Sequence, residues 1–165
     1  DQYSVNELIS DYSRIDPADL ANNVFKSRQR TSPRGGILKA DAAKQWIHVL
    51  SKYSIDNFQD LNTKVGLVSG ELDGFEQDIR LIRGQGSGIS LGYFYMLAGR
   101  DNFVKPDRMI MRFLRNRFGN DRILVADAAN LIDVLVKRLR TDYTHHNLTV
   151  RDLDHAIWNF QRFQP

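Results

Sequence analysis

The sequence predicts an all-α fold, a compact helical domain with a helix-hairpin-helix motif, and three observations predict it. Apolar residues recur at three- and four-residue intervals in segment after segment, the period that lays a stripe along one side of a helix. Strand-like alternation of apolar and polar residues is not evident. Capping residues, prolines and glycines stand where those stripes begin and end. The 165 residues suit a single domain, 1–165, large enough to bury a core without metals or crosslinks. Two helical lobes around a cleft would fit the same pattern.

Taken in order, Asp16-Pro17 supplies an N-cap and a first-turn proline for a helix bearing Leu20, Ala21, Val24 and Phe25. Ser32-Pro33-Arg34-Gly35-Gly36 reads as a loop. The next helix runs from about Lys39 to Tyr53 with Ala43, Trp46, Ile47 and Leu50 as its stripe, and a shorter one covers Phe58 to Thr63. Leu72, Phe75, Ile79 and Ile82 share a face of a helix that ends at Gly84, since glycine tolerates a left-handed backbone. Beyond the glycine loop, Leu91, Phe94, Tyr95 and Ala98 align, and Tyr93, Met96 and Leu97 leave little polar face, so this helix is expected to be central and buried. Pro106 separates it from a helix with Ile110, Phe113 and Leu114 inward and Arg108, Arg112 and Arg115 on another face. Leu124, Ala128, Leu131, Ile132, Leu135 and Leu139 mark a long helix. Thr149-Val150-Arg151-Asp152 has the form of a capping box before a last helix that buries Val150, Leu153, Ile157 and Phe160.

Composition removes several function classes. Cysteine is absent, which excludes disulfides, thiolate zinc sites and cysteine-bound iron–sulfur centres and fits a reducing compartment. His48, His145, His146 and His155 form no pair at helical ligand spacing with a suitably placed glutamate, so no metal site is expected. No apolar run approaches the length of a membrane span, and nothing at the start resembles a secretory signal; an intracellular protein of the cytoplasm, nucleoid or nucleus, with no membrane partner, is expected. The formal net charge is only +3, but its distribution is uneven. Between Asp19 and Asp41 there is no acid, while Lys26, Arg28, Arg30, Arg34 and Lys39 fall in that window. From Asn102 to Asn120 the only acid is Asp107, among Lys105, Arg108, Arg112, Arg115 and Arg117. Two such windows suit a polyanion, although basic runs are also ordinary solvated faces.

Gly84, Gly86 and Gly88 alternate between two helix-like segments, with Gln85 and Ser87 between them. A dinucleotide fingerprint would need a preceding strand, and the residues before Gly84 read as helix. Two helices joined by a tight Gly-x-Gly turn describe a helix-hairpin-helix, in which backbone N–H groups and the start of the second helix converge on an anion such as a DNA phosphate. The plainer alternative is a helix–helix connection in which glycine only permits close packing.

Asp107 lies 23 positions after Gly84, just behind a proline and at the mouth of a helix. From Ile82 to Phe118 the order of hairpin, apolar helix, lone aspartate and amphipathic Arg-Phe helix resembles the helix-hairpin-helix DNA glycosylase superfamily, of the endonuclease-three-like and alkyladenine-type fold, as a divergent member. Val104-Lys105-Pro106-Asp107-Arg108-Met109-Ile110-Met111-Arg112-Phe113-Leu114 carries most of the likeness, which covers about 72–119 well and the flanks only by helical content. The resemblance implies a monofunctional DNA N-glycosylase active on duplex DNA as a monomer, with Asp107 as the essential carboxylate. It implies no cofactor, beyond a monovalent cation that the hairpin backbone could hold. Cleaving an N-glycosidic bond builds positive charge on the sugar, which a carboxylate stabilises while it orients water. The flipped base needs an apolar or aromatic pocket, for which Tyr93, Tyr95, Trp46 and Phe25 are candidates. Gly84, Gln85, Gly86, Ser87, Gly88, Lys105, Arg108 and Arg112 are the expected DNA contacts.

The chain also departs from the pattern. Gly88 stands where bifunctional members carry the Schiff-base lysine, so lyase activity is not expected. Gln85 replaces an apolar hairpin residue and Arg83 stands where proline is common, which makes the hairpin more polar. Gln29-Arg30-Thr31 is faintly similar to the family's Gln-Gln-Thr segment near the base pocket and wedge, and Arg34 could reach a phosphate. His145-His146 reads as an exposed loop, His155 as a partly buried helix residue, and Trp46 and Trp158 as core. Two alternatives remain: a non-catalytic helix-hairpin-helix nucleic-acid-binding module, and a helical interaction protein unrelated to nucleic acid.

Overall fold

In the computed structural model, which describes residues 3–67, 71–100, 103–143 and 145–164, with side chains for all of these except 65–67 and 71–73, nine α-helices and one π-helical turn form. No strand occurs among the described residues; there is one isolated bridge, Arg30 to Leu38. The Leu72 side chain and Asn102 lie outside the described residues. The chain divides into two compact units, residues 1–88 and 89–165, each with a core of its own.

The N-terminal unit holds α1 (Val5–Tyr12), α2 (Pro17–Asp19), α3 (Lys39–Lys52), α4 (Phe58–Leu67) and α5 (Glu71–Leu81). A capping box starts α1: Ser4 Oγ accepts from Glu7 N at 3.1 Å and Glu7 Oε2 accepts from Ser4 N at 2.7 Å. Asp16 starts α2 as expected, accepting from Ala18 N at 2.8 Å. The helix then widens into a π turn over Leu20–Val24. The extra residue per turn rotates the chain, so Leu20 and Ala21 are buried while Val24 and Phe25, expected on the same stripe, are exposed. Leu20 and Ala21 pack with Ala40 of α3 against Tyr12, Ile15 and Leu38. Helix α3 lies on α1 and α5, with Ala40, Ala42 and Leu50 buried and Ala43, Trp46 and Ile47 half-buried. On α5, Phe75 and Ile79 are sealed, Tyr53 meets Phe75 edge-on at 5.7 Å, and Tyr53 Oη donates to Asp78.

The C-terminal unit holds α6 (Ile89–Leu97), α7 (Arg108–Phe118), α8 (Val125–Asp142) and α9 (Val150–Gln161). Its core joins Val104, Ile110, Met111, Leu114, Ala128, Ile132, Val136, Val150 and Ile157, with α7 packed on α8 and α9. Helix α6 is less enclosed than its composition suggests: Leu91 and Tyr95 are buried, but Leu97 is 55% exposed and Tyr93 36%. On α9 the buried stripe is Val150, Asp154, Ile157 and Gln161, so Phe160, expected inside, is exposed. Two polar residues thus occupy positions on the inner face.

The capping box before α9 forms as expected. Thr149 Oγ1 accepts from Asp152 N at 3.0 Å, and Asp152 Oδ2 accepts from Thr149 N at 2.9 Å. Thr149→Ala is expected to cost about 1 kcal/mol, read as a lower denaturation midpoint at unchanged slope. Among the described residues no helix is long and apolar enough to cross a membrane.

Candidate functional site

The hairpin lies in the N-terminal unit and is built as a series of tight turns after α5. Ile82 N donates to Ile79 O, Gln85 N to Ile82 O and Gly88 N to Gln85 O, at 3.1, 2.9 and 3.0 Å. Gly84 has φ +88° and Gly88 φ +73°, the left-handed region that only glycine enters without strain. A Cβ at Gly84 would collide with Thr31, whose Oγ1 donates to Arg83 O at 3.0 Å and accepts from Ile37 N at 3.2 Å. Thr31 therefore rivets the loop before α3 to the hairpin.

That rivet collects cations. The loop is closed by Thr31 N donating to Ile37 O and Lys39 N donating to Gln29 O. Arg34 at its tip and Arg83 on the hairpin are both exposed, and Arg83 Nη2 lies 3.3 Å from where a Cβ at Gly35 would stand. Arg80 reaches across the hairpin, its Nη1 donating to Gly86 O at 3.3 Å. Its guanidinium lies 2.5 Å from the position of a Cβ at Gly88, so a side chain at 88 would meet both a left-handed backbone and Arg80. Gly86 and Ser87 are exposed; Gln85 is buried, with no partner for Oε1 among the described residues. The expected wedge residues serve the loop: Arg30 Nε donates to Gly36 O at 2.9 Å, and Gln29 Oε1 accepts from Lys39 Nζ at 2.6 Å. Arg80 was not expected as part of this surface, and Thr31, expected only within the wedge-like Gln29-Arg30-Thr31 segment, proves to tie that segment to the hairpin.

In the C-terminal unit Asp107 is the N-cap of α7. Its Oδ1 accepts from Met109 N at 2.8 Å and from Ile110 N at 3.2 Å, and the side chain is partly exposed. The turn before it is tight, with Asp107 N donating to Lys105 O at 2.6 Å. Lys105 N donates to Asp154 Oδ1 at 3.2 Å, and Lys105 Nζ stands 4.0 Å over the Tyr93 ring. Asp154, on α9, is 6% exposed. Burial pushes its carboxyl up to about 6, the Lys105 N–H opposes that shift, and the neighbouring Asp107 charge adds to it.

The arginines of α7 are less available than their sequence suggests. Arg112 Nη2 donates to Gln161 O at 2.8 Å and Gln164 O at 3.4 Å, at the end of α9, where a cation also meets the helix dipole. Arg115 donates to Ile123 O, and the Arg117 guanidinium lies over the Phe113 and Phe160 rings at 5.6 and 5.3 Å. Arg108 is exposed, with no hydrogen bond or ion pair among the described residues. Tyr95 is sealed in the core against Phe103 at 4.8 Å, whereas Tyr93, Phe25 and half-buried Trp46 remain accessible. His145, His146 and also His155 are exposed, and Trp158 is half-buried. Among the described residues no group of three or more His, Asp or Glu is placed to hold a metal ion.

Residues 1–162 match the family described as Domain of unknown function (DUF8548). No curated protein and no solved structure matches the chain.

Proposed function

The chain belongs to the DUF8548 family, and from the geometry of its own residues we propose that it is a DNA-binding, monofunctional DNA N-glycosylase in which Asp107 is the essential carboxylate. The observation that carries this reading is the Asp107 cap itself: a partly exposed carboxylate fixed by two backbone N–H groups at a helix start, behind the Lys105-Pro106 turn. Pinned Oδ1 leaves the second oxygen to face a sugar that gains positive charge as its base departs. A pre-oriented carboxylate needs little reorganisation during that step, which makes the fixed geometry useful.

In the N-terminal unit the hairpin with Arg34, Arg80 and Arg83 would grip DNA phosphates without sequence reading; in the C-terminal unit Arg108, at the start of α7, is a phosphate contact of its own. Lys105, whose ammonium is held on Tyr93, and Arg112, which fastens α9, are placed mainly as supports. The left-handed backbone and the Arg80 guanidinium that any side chain at position 88 would meet support base removal without a Schiff-base lysine at that position. DNA as a single chain's partner, and action inside the cell, belong to the same reading.

A second reading, a non-catalytic nucleic-acid-binding module, draws on the same cap, because an aspartate that accepts two first-turn N–H groups already has a structural task. A panel of duplexes, each with one modified base, separates them. Free base from at least one duplex supports the enzyme; salt-dependent binding with no release from any supports the module; binding without salt dependence removes both. Arg34→Gln with Arg83→Gln is expected to weaken binding to all duplexes alike and to reduce the slope of log K against log salt by about 2.

A further inference from the structure

Asp154 is buried on the inner stripe of α9, where an apolar residue would serve the core better. Its Oδ1 accepts the Lys105 N–H, and the other end of that residue, Lys105 O, accepts the Asp107 N–H at 2.6 Å. Asp107 in turn accepts from Met109 N and Ile110 N. A single chain of hydrogen bonds therefore runs from α9 through the Lys105-Pro106-Asp107 turn into the first turn of α7. Pro106 has no N–H, so the turn has few other ways to be anchored.

From this geometry we propose that Asp154 is a positioning residue for Asp107, holding the turn from which the site carboxylate projects and linking its own protonation to the geometry and field at that carboxylate. The functional meaning rests on the reading of Asp107 as the essential carboxylate; the coupling itself does not. The charged and titratable groups acting on Asp154 are Lys105 and Asp107 from the segment before α7 and His155 from α9. Its carboxyl, ordinarily near 3.8, titrates near 6 in the folded chain. A raised acid favours the folded state when protonated: the contribution is complete below the unfolded value near 3.8 and is lost as pH rises through about 6. Neutral Asp154 keeps an acceptor for Lys105; ionised Asp154 holds it more strongly but places a second negative charge beside Asp107.

The test is an amide NMR titration of the full chain from pH 4 to 8, with Asp154→Asn alongside as a near-isosteric variant that keeps an acceptor oxygen. In the wild type the Lys105 amide should shift with a midpoint near 6, and the Met109 and Ile110 amides should follow with the same midpoint. Asp154→Asn should abolish that shared step and flatten the fall in melting temperature over the same pH range. A wild type without the shared step, or an Asp154→Asn protein that retains it, overturns the proposal. On a duplex that yields free base, Asp154→Ala should slow single-turnover release at least ~10-fold at unchanged DNA affinity, as expected when a catalytic group is misplaced. Wild-type release by Asp154→Ala would also overturn it. If no duplex yields base, the glycosylase reading fails alone, and the amide titration still decides the coupling.

Discussion

Gly84→Ala is expected to destabilise the protein by about 2–5 kcal/mol, from left-handed strain of roughly 1–3 kcal/mol and overpacking of similar size. The backbone at Gly84 has φ +88°, and an added Cβ would lie 2.6 Å from Thr31 Cβ and closer still to its Oγ1. Thr31 cannot easily retreat: it is β-branched, its hydroxyl donates to Arg83 O, and the same oxygen accepts from Ile37 N. The damage should therefore spread to the loop that carries Arg34, and DNA affinity should fall with stability. Gly86→Ala is the control, because its Cβ would meet only Arg80 O at an ordinary 3.7 Å and its φ is not positive. Denaturant unfolding of both variants checks this. A Gly84→Ala midpoint equal to that of Gly86→Ala would show that the Thr31 rivet does not hold the hairpin.

Asp107→Asn is expected to reduce base release at least ~100-fold, the scale associated with removing a preorganised charge from a transition state. Asparagine caps helices about as well as aspartate, so stability should change by no more than about 0.5 kcal/mol. The amide oxygen can still accept from Met109 N and Ile110 N, which keeps α7 in place. Asp107→Ala removes cap and carboxylate together and should lose about 1 kcal/mol of stability as well. DNA affinity in the Asn variant should stay within about twofold, because losing one acidic group near phosphate cannot weaken attraction to a polyanion. Were Asp107 only a cap, the Asn variant would work like wild type and the Ala variant would fail through stability alone.

Much of the helical plan was legible from local signals. Asp16-Pro17, the Thr149–Asp152 box and Pro106 each mark a helix start through backbone chemistry that does not depend on tertiary context. Helix α1 carries the same kind of signal, Ser4 with Glu7 three residues on, and Val5, Leu8, Ile9 and Tyr12 stand at helical spacing, so it was equally legible although the expected helices begin only at Asp16. Val24, Phe25 and Phe160 fall outside the core because a π turn and two polar residues on α9 displace the simple period.

The candidate site divides along the same line. Asp107 and the glycine hairpin were visible because their roles rest on adjacent backbone: a cap, and left-handed turns. The support around them was not, because Thr31 reaches Arg83 across 52 positions and Asp154 reaches Lys105 across 49. A local sign of Asp154 did exist: it shares the spacing of Val150, Ile157 and Gln161, so a carboxylate interrupts an otherwise inward stripe. Arg112 and Arg115 read as part of a basic face and Arg117 as part of the same basic window, but charge in a sequence does not reveal its partner, and theirs are the carbonyls and rings of their own unit.

The central claim, base removal assisted by a carboxylate and without a lysine adduct, is tested most directly by incubating the protein with the modified-base duplexes in the presence of borohydride. Free base and covalent protein–DNA complex are measured in the same reaction. The predicted result is release of free base from at least one duplex, an otherwise intact strand carrying an abasic site, and no trapped complex. Release from none of them, or a borohydride-trapped complex accompanying release, would contradict it.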